Sequence, residues 1–447
     1  MPTFSQRHLL SSIGRACAAL AAGTFLVSAA AGDVLFENVR IFDGRSAMLS
    51  SPSNVLVKAN VIDSISAEPI ESADAEQIDG AGRTLMPGLI DAHWHTMLVA
   101  PTPPEAIASD VGYLNLLAAV QAEAALLRGF TTVRDMGGPS FSLKRAIDAG
   151  LIKGPRIYPS GAMITVTSGH GDFRQLWELP RRPGTLSRVE EIGGSIVADS
   201  PDEVRMRARE QLMQGASQIK LTAGGGVASP HSPLDVSTFT EPELRAAVEA
   251  AENWGAFVCV HAYTPAAIQR SIAAGVRCIE HAHLMDEDTA RLIAREDAWL
   301  STQPFLGDDG NAAALGPEQA AKKARVAAGT DDVYTLARKH GIKTAFGTDI
   351  LFSAEEATQQ GARLAALGRW YSPAEALTMA TAGNAELLAM TGLRNPYPNE
   401  LGVVKAGAYA DLLLVDGNPL ENLELIADPG NFAVIMKDGR VYKNAIQ

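Results

Sequence analysis

Cysteine is scarce in this chain: 447 residues contain three. None stands in a Cys-x-x-Cys spacing, so dithiol redox chemistry is not indicated. Basic clusters are missing as well. Lys and Arg number 38 against 51 Asp and Glu, giving a formal net charge of −13, and no Lys/Arg-rich run or stripe occurs. Nucleic acid and anionic membranes are therefore poor partners. Internal repeats and low-complexity tracts are absent. What remains is a hydrophobic content of 47%, enough for a sizeable core in one large domain or two ordinary ones.

The N-terminus differs from the rest. Arg7 and Arg15 precede an apolar stretch over 16–27, followed by Ser28-Ala29-Ala30-Ala31. A basic start, a short apolar segment and small residues at its exit read as a secretory signal peptide over 1–31. The alternative is a membrane anchor, for which the stretch is short. Cleavage is expected near Ala29–Ala31, and no cysteine follows that would carry a lipid. The mature protein is expected to be periplasmic or secreted, with no stable membrane span. It would retain Cys259 and Cys278, both inside strand-like apolar runs. They read as buried free thiols, with pairing in an oxidising compartment as the alternative.

From residue 85 to about 350 the chain alternates. Short apolar or β-branched runs cover 85–95, 131–137, 156–161, 218–223, 257–262, 278–283, 299–304 and 344–349. Between them lie stretches rich in helix formers, including Asn115–Arg128, Pro201–Gln214, Glu241–Trp254, Pro265–Ala274 and Asp286–Arg295. Pro201 and Pro265 follow Ser200 and Thr264, as N-capped helices often begin. Eight such units predict an α/β fold, a (β/α)8 TIM-type barrel over 85–395. Residues 33–84 and 400–447 show short alternating strands with turn signals. Each flank is too short to stand alone, so the two are expected to join in one small β-sandwich domain. The stretch Pro304–Gly329 reads as either a mobile lid or a plain surface helix and loop.

The chemistry-bearing residues cluster at the ends of these runs. His93 and His95, two residues apart on a strand, face the same side about 6–7 Å apart. His261, His281 and Asp349 end three later runs. Four imidazoles suit zinc or a similar borderline ion, whereas one alone would read as a hydrogen-bonded core histidine. Lys220 stands on strand 4. A buried ammonium is costly, so the lysine is either paired with Asp349 or Glu280, neutral, or carboxylated into an anionic ligand. His170, in Thr167-Ser168-Gly169-His170-Gly171-Asp172 after strand 3, either donates to an oxyanion or substrate carboxylate or stabilises its loop. Arg174, Tyr263 and His283 are further candidates for substrate contact. Gly224-Gly225-Gly226 lacks a following Lys-Ser/Thr and reads as a place where backbone passes close to the site. His340 falls on a helix away from it.

The set His-x-His, Lys, His, His, Asp on strands 1, 4, 5, 6 and 8 resembles the amidohydrolase superfamily in its binuclear carboxylated-lysine form. Met86-Pro87-Gly88-Leu89-Ile90-Asp91, His261-Ala262-Tyr263, Glu280-His281, Gly347-Thr348-Asp349 and Leu401–Leu412 carry the resemblance. It is strongest to the imidazolonepropionase-related branch with Xaa-Pro dipeptidase-like and ochratoxin-hydrolysing members. The resemblance implies two divalent metal ions, zinc being expected. His93, His95 and Asp349 would hold one, His261 and His281 the other, and carboxylated Lys220 would bridge them. It also implies hydrolysis of an amide bond to a C-terminal hydrophobic amino acid, with Asp349 shuttling the proton. The substrate would be a small amide or dipeptide, and a homo-oligomer is expected. Lactonase or esterase chemistry on the same metals, and a metal-free binding or assembly protein, are the alternatives.

Overall fold

The computed structural model describes residues 32–182, 184–306 and 316–446, which fall in one compact unit. The signal-peptide reading over 1–31 and the centre of the lid reading, 307–315, lie outside the described residues. Downstream of 315, Pro317–Ala328 forms a helix. Among the described residues no helix is long and apolar enough to cross a membrane.

Both flanks join in one β unit. Strands β1 (Val34–Ile41), β2 (Ser53–Lys58), β3 (Val61–Ser66), β4 (Glu76–Asp79) and β5 (Thr84–Pro87) come from the N-terminal side. The barrel strands are β6 (Leu89–Trp94), β7 (Phe130–Asp135), β8 (Arg156–Pro159), β9 (Met163–Thr165), β10 (Ser195–Val197), β11 (Gln218–Thr222), β12 (Phe257–Ala262), β13 (Cys278–His281), β14 (Trp299–Thr302) and β15 (Thr344–Phe346). After them, β16 (Leu412–Val415), β17 (Phe432–Lys437) and β18 (Arg440–Asn444) return to the flanking unit, where β16 pairs antiparallel with β5. Val34, Phe36, Val55, Val57, Leu85, Leu412, Leu414, Val434 and Met436 form its core. Their period-two spacing is what a half-buried strand requires.

The chain leaves this unit for the barrel at Gly88. Its N–H donates to the Asp411 carbonyl of the flank, while the next residue, Leu89, donates to Gly129 of the barrel. The run read as 85–95 is thus two strands in two sheets. The run at 156–161 is also interrupted: β8 and β9 are separate pieces, and β9 carries β10 as an additional parallel neighbour that the sequence reading assigned to no strand. Three residues are too few for a visible period.

The barrel ladders are parallel, β6–β7–β8 and β9–β11–β12–β13–β14–β15, with helices between consecutive strands. Helix Pro201–Gln214 starts as expected, with the Ser200 hydroxyl accepting from the Glu203 N–H. Helix Pro265–Ala273 also begins with Pro265 after Thr264 as N-cap, but the Thr264 side chain makes no cap bond, and among the described residues its buried hydroxyl has no partner. Outward-facing Ile219, Leu221, Val258, Val260 and Ile279 pack against the helices in the main core, while Phe257, Cys259, Cys278 and Trp299 fill the barrel interior.

The seam between β15 and β6 is closed by a side chain. Asn384 Nδ2 donates to the carbonyls of Ile90 and Phe346, and its Oδ1 accepts from the Phe346 N–H. Three residues further along each strand, the Asp349 N–H donates to the His93 carbonyl at 2.8 Å. Strands 1 and 8 are therefore held in register at the end where their functional residues stand.

Candidate metal centre

The interior parity of each strand decides what reaches the centre. On β11, Gln218, Lys220 and Thr222 alternate with the outward Ile219 and Leu221. On β12, Cys259 and His261 do the same, and Lys220 lies in register with Cys259. On β13 the inward residues are Cys278 and Glu280, because Glu280 is paired with His261 and His281 with Ala262. His281 would then face the helices. Its backbone adopts φ of 76° and that of Ala282 57°, a left-handed pair that ends the strand and turns the imidazole inward. Asp349 is likewise left-handed, with φ of 52°.

Four imidazoles converge. Ring centroids are 5.4 Å apart for His93 and His95, 5.0 Å for His93 and His281, and 4.5 Å for His261 and His281. Asp349 joins them: its Oδ1 lies 3.2 Å from His93 Nε2 and 3.1 Å from His95 Nε2. All are buried except Asp349, whose side chain is 16% exposed.

Three of the four histidines are oriented by a fixed acceptor. His93 Nδ1 meets Glu280 Oε2 at 2.8 Å, His281 Nδ1 meets Gln303 Oε1 at 2.7 Å, and His261 Nε2 meets the Gly225 carbonyl at 2.8 Å. None of these oxygens carries a proton, so each ring nitrogen there must donate. The lone pairs left are Nε2 of His93 and His281 and Nδ1 of His261. A ring donating outward through one nitrogen and offering a lone pair through the other is what a metal ligand needs. His93 Nε2 and the Asp349 carboxylate then face each other across 3.2 Å. Two lone-pair bearers that close are stable with a shared proton or a shared cation between them. The residues therefore fit a divalent ion, and ligand atoms of His93, His281 and Asp349 lie within 4.8 Å of one another.

Behind these residues lies a network that the sequence reading missed. Arg134 on β7 is fully buried and donates to both oxygens of Glu280, at 2.8 and 3.0 Å. It also reaches Cys259 Sγ at 3.1 Å and Cys278 Sγ at 3.3 Å. The two cysteines are free thiols, as expected. Burial would raise the Glu280 pKa, but Arg134 and His93 hold it well below the ordinary carboxylate value. Asp91 accepts from the N–H groups of His93 and Thr348, from the Thr348 hydroxyl and from Gln360. The available signal was charge at inward or strand-end positions, as in Val133-Arg134-Asp135.

Lys220 is buried, and burial lowers its pKa. The ion pairs of Glu280 run to Arg134 and His93, and those of Asp349 to His93, His95 and His281; among the described residues neither includes Lys220. The paired reading of this lysine is not what the structure contains, which leaves the neutral and carboxylated readings.

The remaining candidates surround the cluster. The His170 ring is 4.3 Å from that of His261, and burial with Lys220 nearby pushes its pKa down to about 4. The Tyr263 ring is 4.7 Å from His261 and 5.2 Å from His281. His283 stacks on Phe305 at 4.9 Å, donates through Nε2 to the Gln303 carbonyl, and has no partner for its buried Nδ1 among the described residues. Leu234, Tyr263 and Val326 form an apolar cluster with the half-buried Val227, Leu284 and Phe305. Arg174 is committed elsewhere: it donates twice to Asp172 and once to Thr167, bracing its own loop. His340 ends helix Thr330–His340 and approaches Glu287, away from the cluster.

A model of the amidohydrolase family matches residues 84–442. The chain belongs to this family. Ochratoxinase from Aspergillus niger is 30% identical to this amidohydrolase over 390 residues, spanning 80% of this chain and 75% of that protein. The crystal structure of a prolidase complexed with N-methylphosphonate-L-proline is 33% identical, with a TM-score of 0.85, covering 92% of this chain and 100% of the other. That of a Xaa-Pro dipeptidase with methionine bound in its active site is 29% identical, with a TM-score of 0.79, again covering 92% and 100%. This amidohydrolase is a hydrolase acting on amide bonds. The family generally uses divalent metals.

Proposed function

We propose that this amidohydrolase is binuclear and releases a C-terminal hydrophobic amino acid from dipeptides and N-acyl amino acids. Ochratoxin A, an aryl amide of phenylalanine, is included. The observation that carries the reading is the convergence of four histidines, three of them tautomer-fixed, with Asp349 and a buried lysine that has no ion pair among the described residues. His93, His95 and Asp349 would hold one ion, His261 and His281 the second, and Lys220 both. Bound zinc ions supply Lewis acidity and make water a stronger acid near neutral pH.

The protein's own residues do the rest. A neutral Lys220 amine can attack carbon dioxide, forming an N–C bond and losing a proton, and the resulting carbamate is a ligand of two oxygens. Asp349, partly exposed between two imidazoles, is placed to take a proton from the attacking water and hand it to the departing amine. An amide nitrogen leaves poorly without it. His170 stands over His261 and offers a donor to the carbonyl oxygen. The apolar group around Tyr263, Leu284 and Phe305 suits a hydrophobic side chain, and Tyr263 with His283 supplies polar groups beside it. The leader-like N-terminus supports export, and assembly into a homo-oligomer belongs to the same reading.

The test is a substrate panel with zinc-loaded protein. Dipeptides and N-acyl amino acids ending in a free carboxylate should exceed their amidated or methyl-ester forms by at least about tenfold in kcat/KM, about 1.4 kcal/mol of transition-state stabilisation. Equal rates on both forms would overturn the carboxypeptidase-like reading. Faster turnover of lactones or simple esters than of any amide would replace it with an esterase.

A further inference from the structure

Ser229, in the loop after strand 4, has no role so far. It is fully buried, and its hydroxyl meets two groups of the strand-3 loop. The Gly171 N–H donates to Oγ at 2.8 Å, and His170 Nδ1 lies 3.0 Å from the same oxygen. A hydroxyl has one proton to give. Gly171 is a donor, so it cannot take that proton. Among the described residues, His170 Nδ1 is the acceptor recorded for it. If Nδ1 carried a proton instead, two donors would converge on Oγ and the buried hydroxyl proton would have no acceptor. The cost of an unmade buried hydrogen bond favours the first arrangement by about tenfold or more.

We propose that Ser229 is a positioning residue, which fixes His170 as the Nε2–H tautomer and so turns it into a hydrogen-bond donor toward the substrate oxygen. The inference rests on the reading above that His170 meets the substrate. Backbone space supports it. A Cβ on Gly226 would lie 2.0 Å from His170 Nδ1 and 2.3 Å from Cγ, so the strand-4 loop is shaped around this ring. The same two loops are tied again by the Ser168 hydroxyl, which donates to the His231 carbonyl at 2.7 Å. His170 itself is half-buried, with its Nδ1 edge turned to Ser229. The Nε2 edge is the one left for a ligand.

Two independent readouts test this. Long-range proton–nitrogen NMR on the zinc-loaded enzyme with 15N-histidine, assigned with His170→Asn, should place the His170 proton on Nε2. In Ser229→Ala the Nδ1–H form should appear. With the best substrate of the panel, Ser229→Ala should lower kcat about ten- to hundredfold while zinc content and KM move less than about twofold. Ser229→Cys, a weaker donor of similar size, should fall between. In a His170→Ala background, Ser229→Ala should cost no further activity. A wild-type proton on Nδ1, or an equal loss in the His170→Ala background, would overturn the proposal. If no amide substrate is turned over, the proposed function fails while the NMR result still decides the tautomer.

Discussion

Replacing Glu280 with Gln separates the two roles that the structure gives this carboxylate. Glu280 is wholly buried, accepts twice from Arg134 and once from His93, and lies 3.2 Å from Cys278 Sγ. Gln keeps the size and removes the charge. Arg134 then stands in the barrel interior without its carboxylate, and breaking a buried pair from one side costs about 3–5 kcal/mol. The second effect runs through His93. An amide has one oxygen, which will turn to the cation, leaving its NH2 facing His93 Nδ1. That nitrogen must then accept, its proton moves to Nε2, and the lone pair meant for the metal is lost. Orienting partners of this kind are worth about 10–100-fold in metal affinity, or about 1.4–2.8 kcal/mol. Zinc affinity by chelator competition and midpoints of thermal unfolding, each measured for the single variant and for Arg134→Met/Glu280→Gln, distinguish the effects. The double variant removes both buried charges and leaves the amide oxygen free to accept from His93 Nδ1, so it should recover most of the stability and much of the affinity. A single variant with wild-type zinc affinity would refute the tautomer argument. One with wild-type stability would refute the pairing argument.

Lys220→Ala should bind well under two zinc ions per chain and lose most activity. Added formate or acetate should restore part of both, read by metal analysis and initial rates; full activity without rescue would remove the bridging role. Asp349→Asn keeps a ligand oxygen but cannot shuttle a proton, so kcat should fall at least about 10²-fold while zinc content falls less. At the junction of barrel and flanking sheet, Arg156 is buried against Asp411 and donates to Asp438 at 2.6 Å. Burial would raise the Asp438 pKa, but Arg156 and Lys437 hold it below the ordinary value. A depressed carboxyl pKa stabilises the fold above the unfolded-state value and ceases to do so as pH falls through the folded one. Asp438→Asn should therefore lower stability at pH 7, by about 1 kcal/mol because its side chain is 43% exposed. Urea midpoints should show the gap narrowing below about pH 4; a gap independent of pH would refute this.

The parts of the site that were legible are those that a single strand displays. His93, His95, Lys220 and His261 follow period two beside outward apolar residues, so alternation places them inward. His281 was found for a less secure reason. It closes an apolar run, but strict alternation assigns the inward position to Glu280, and the left-handed backbone at 281 that corrects this has no local sequence signal. Glu280 entered the sequence reading as a partner for Lys220, whereas its partners are Arg134 and His93. That choice depends on which strands are neighbours across the barrel, and residues 134 and 280 lie 146 positions apart. Arg174 failed in the opposite direction. Its charge and its loop suggested a substrate contact, but Asp172, two residues earlier, satisfies it. Gln303 and Ser229 were silent because an uncharged polar residue in a loop has many uses, and partners fixed by tertiary folding decide among them.

The seam of the barrel explains why the two ends of the motif set belong together. Asp91 lies two residues before His93, and Thr348 one residue before Asp349. Thr348 gives Asp91 both its N–H and its hydroxyl across 257 positions of sequence. Between them Gly347 passes so close that a Cβ there would sit 2.5 Å from His93 Cβ. Any larger residue would push strands 1 and 8 apart at the level where His93, His95 and Asp349 meet. Burial raises the pKa of Asp91, which is the cost of placing a carboxylate there, and the hydrogen bonds it accepts from Thr348, Gln360 and His93 oppose that rise only in part. Asn384 performs the equivalent task one turn deeper, by satisfying backbone groups of both strands that no direct ladder joins. Closing the barrel and assembling the ligands are thus the same set of contacts. A metal ion held by His93, His95 and Asp349, as proposed, would bridge strands 1 and 8 and would add its binding energy to the closure of the fold.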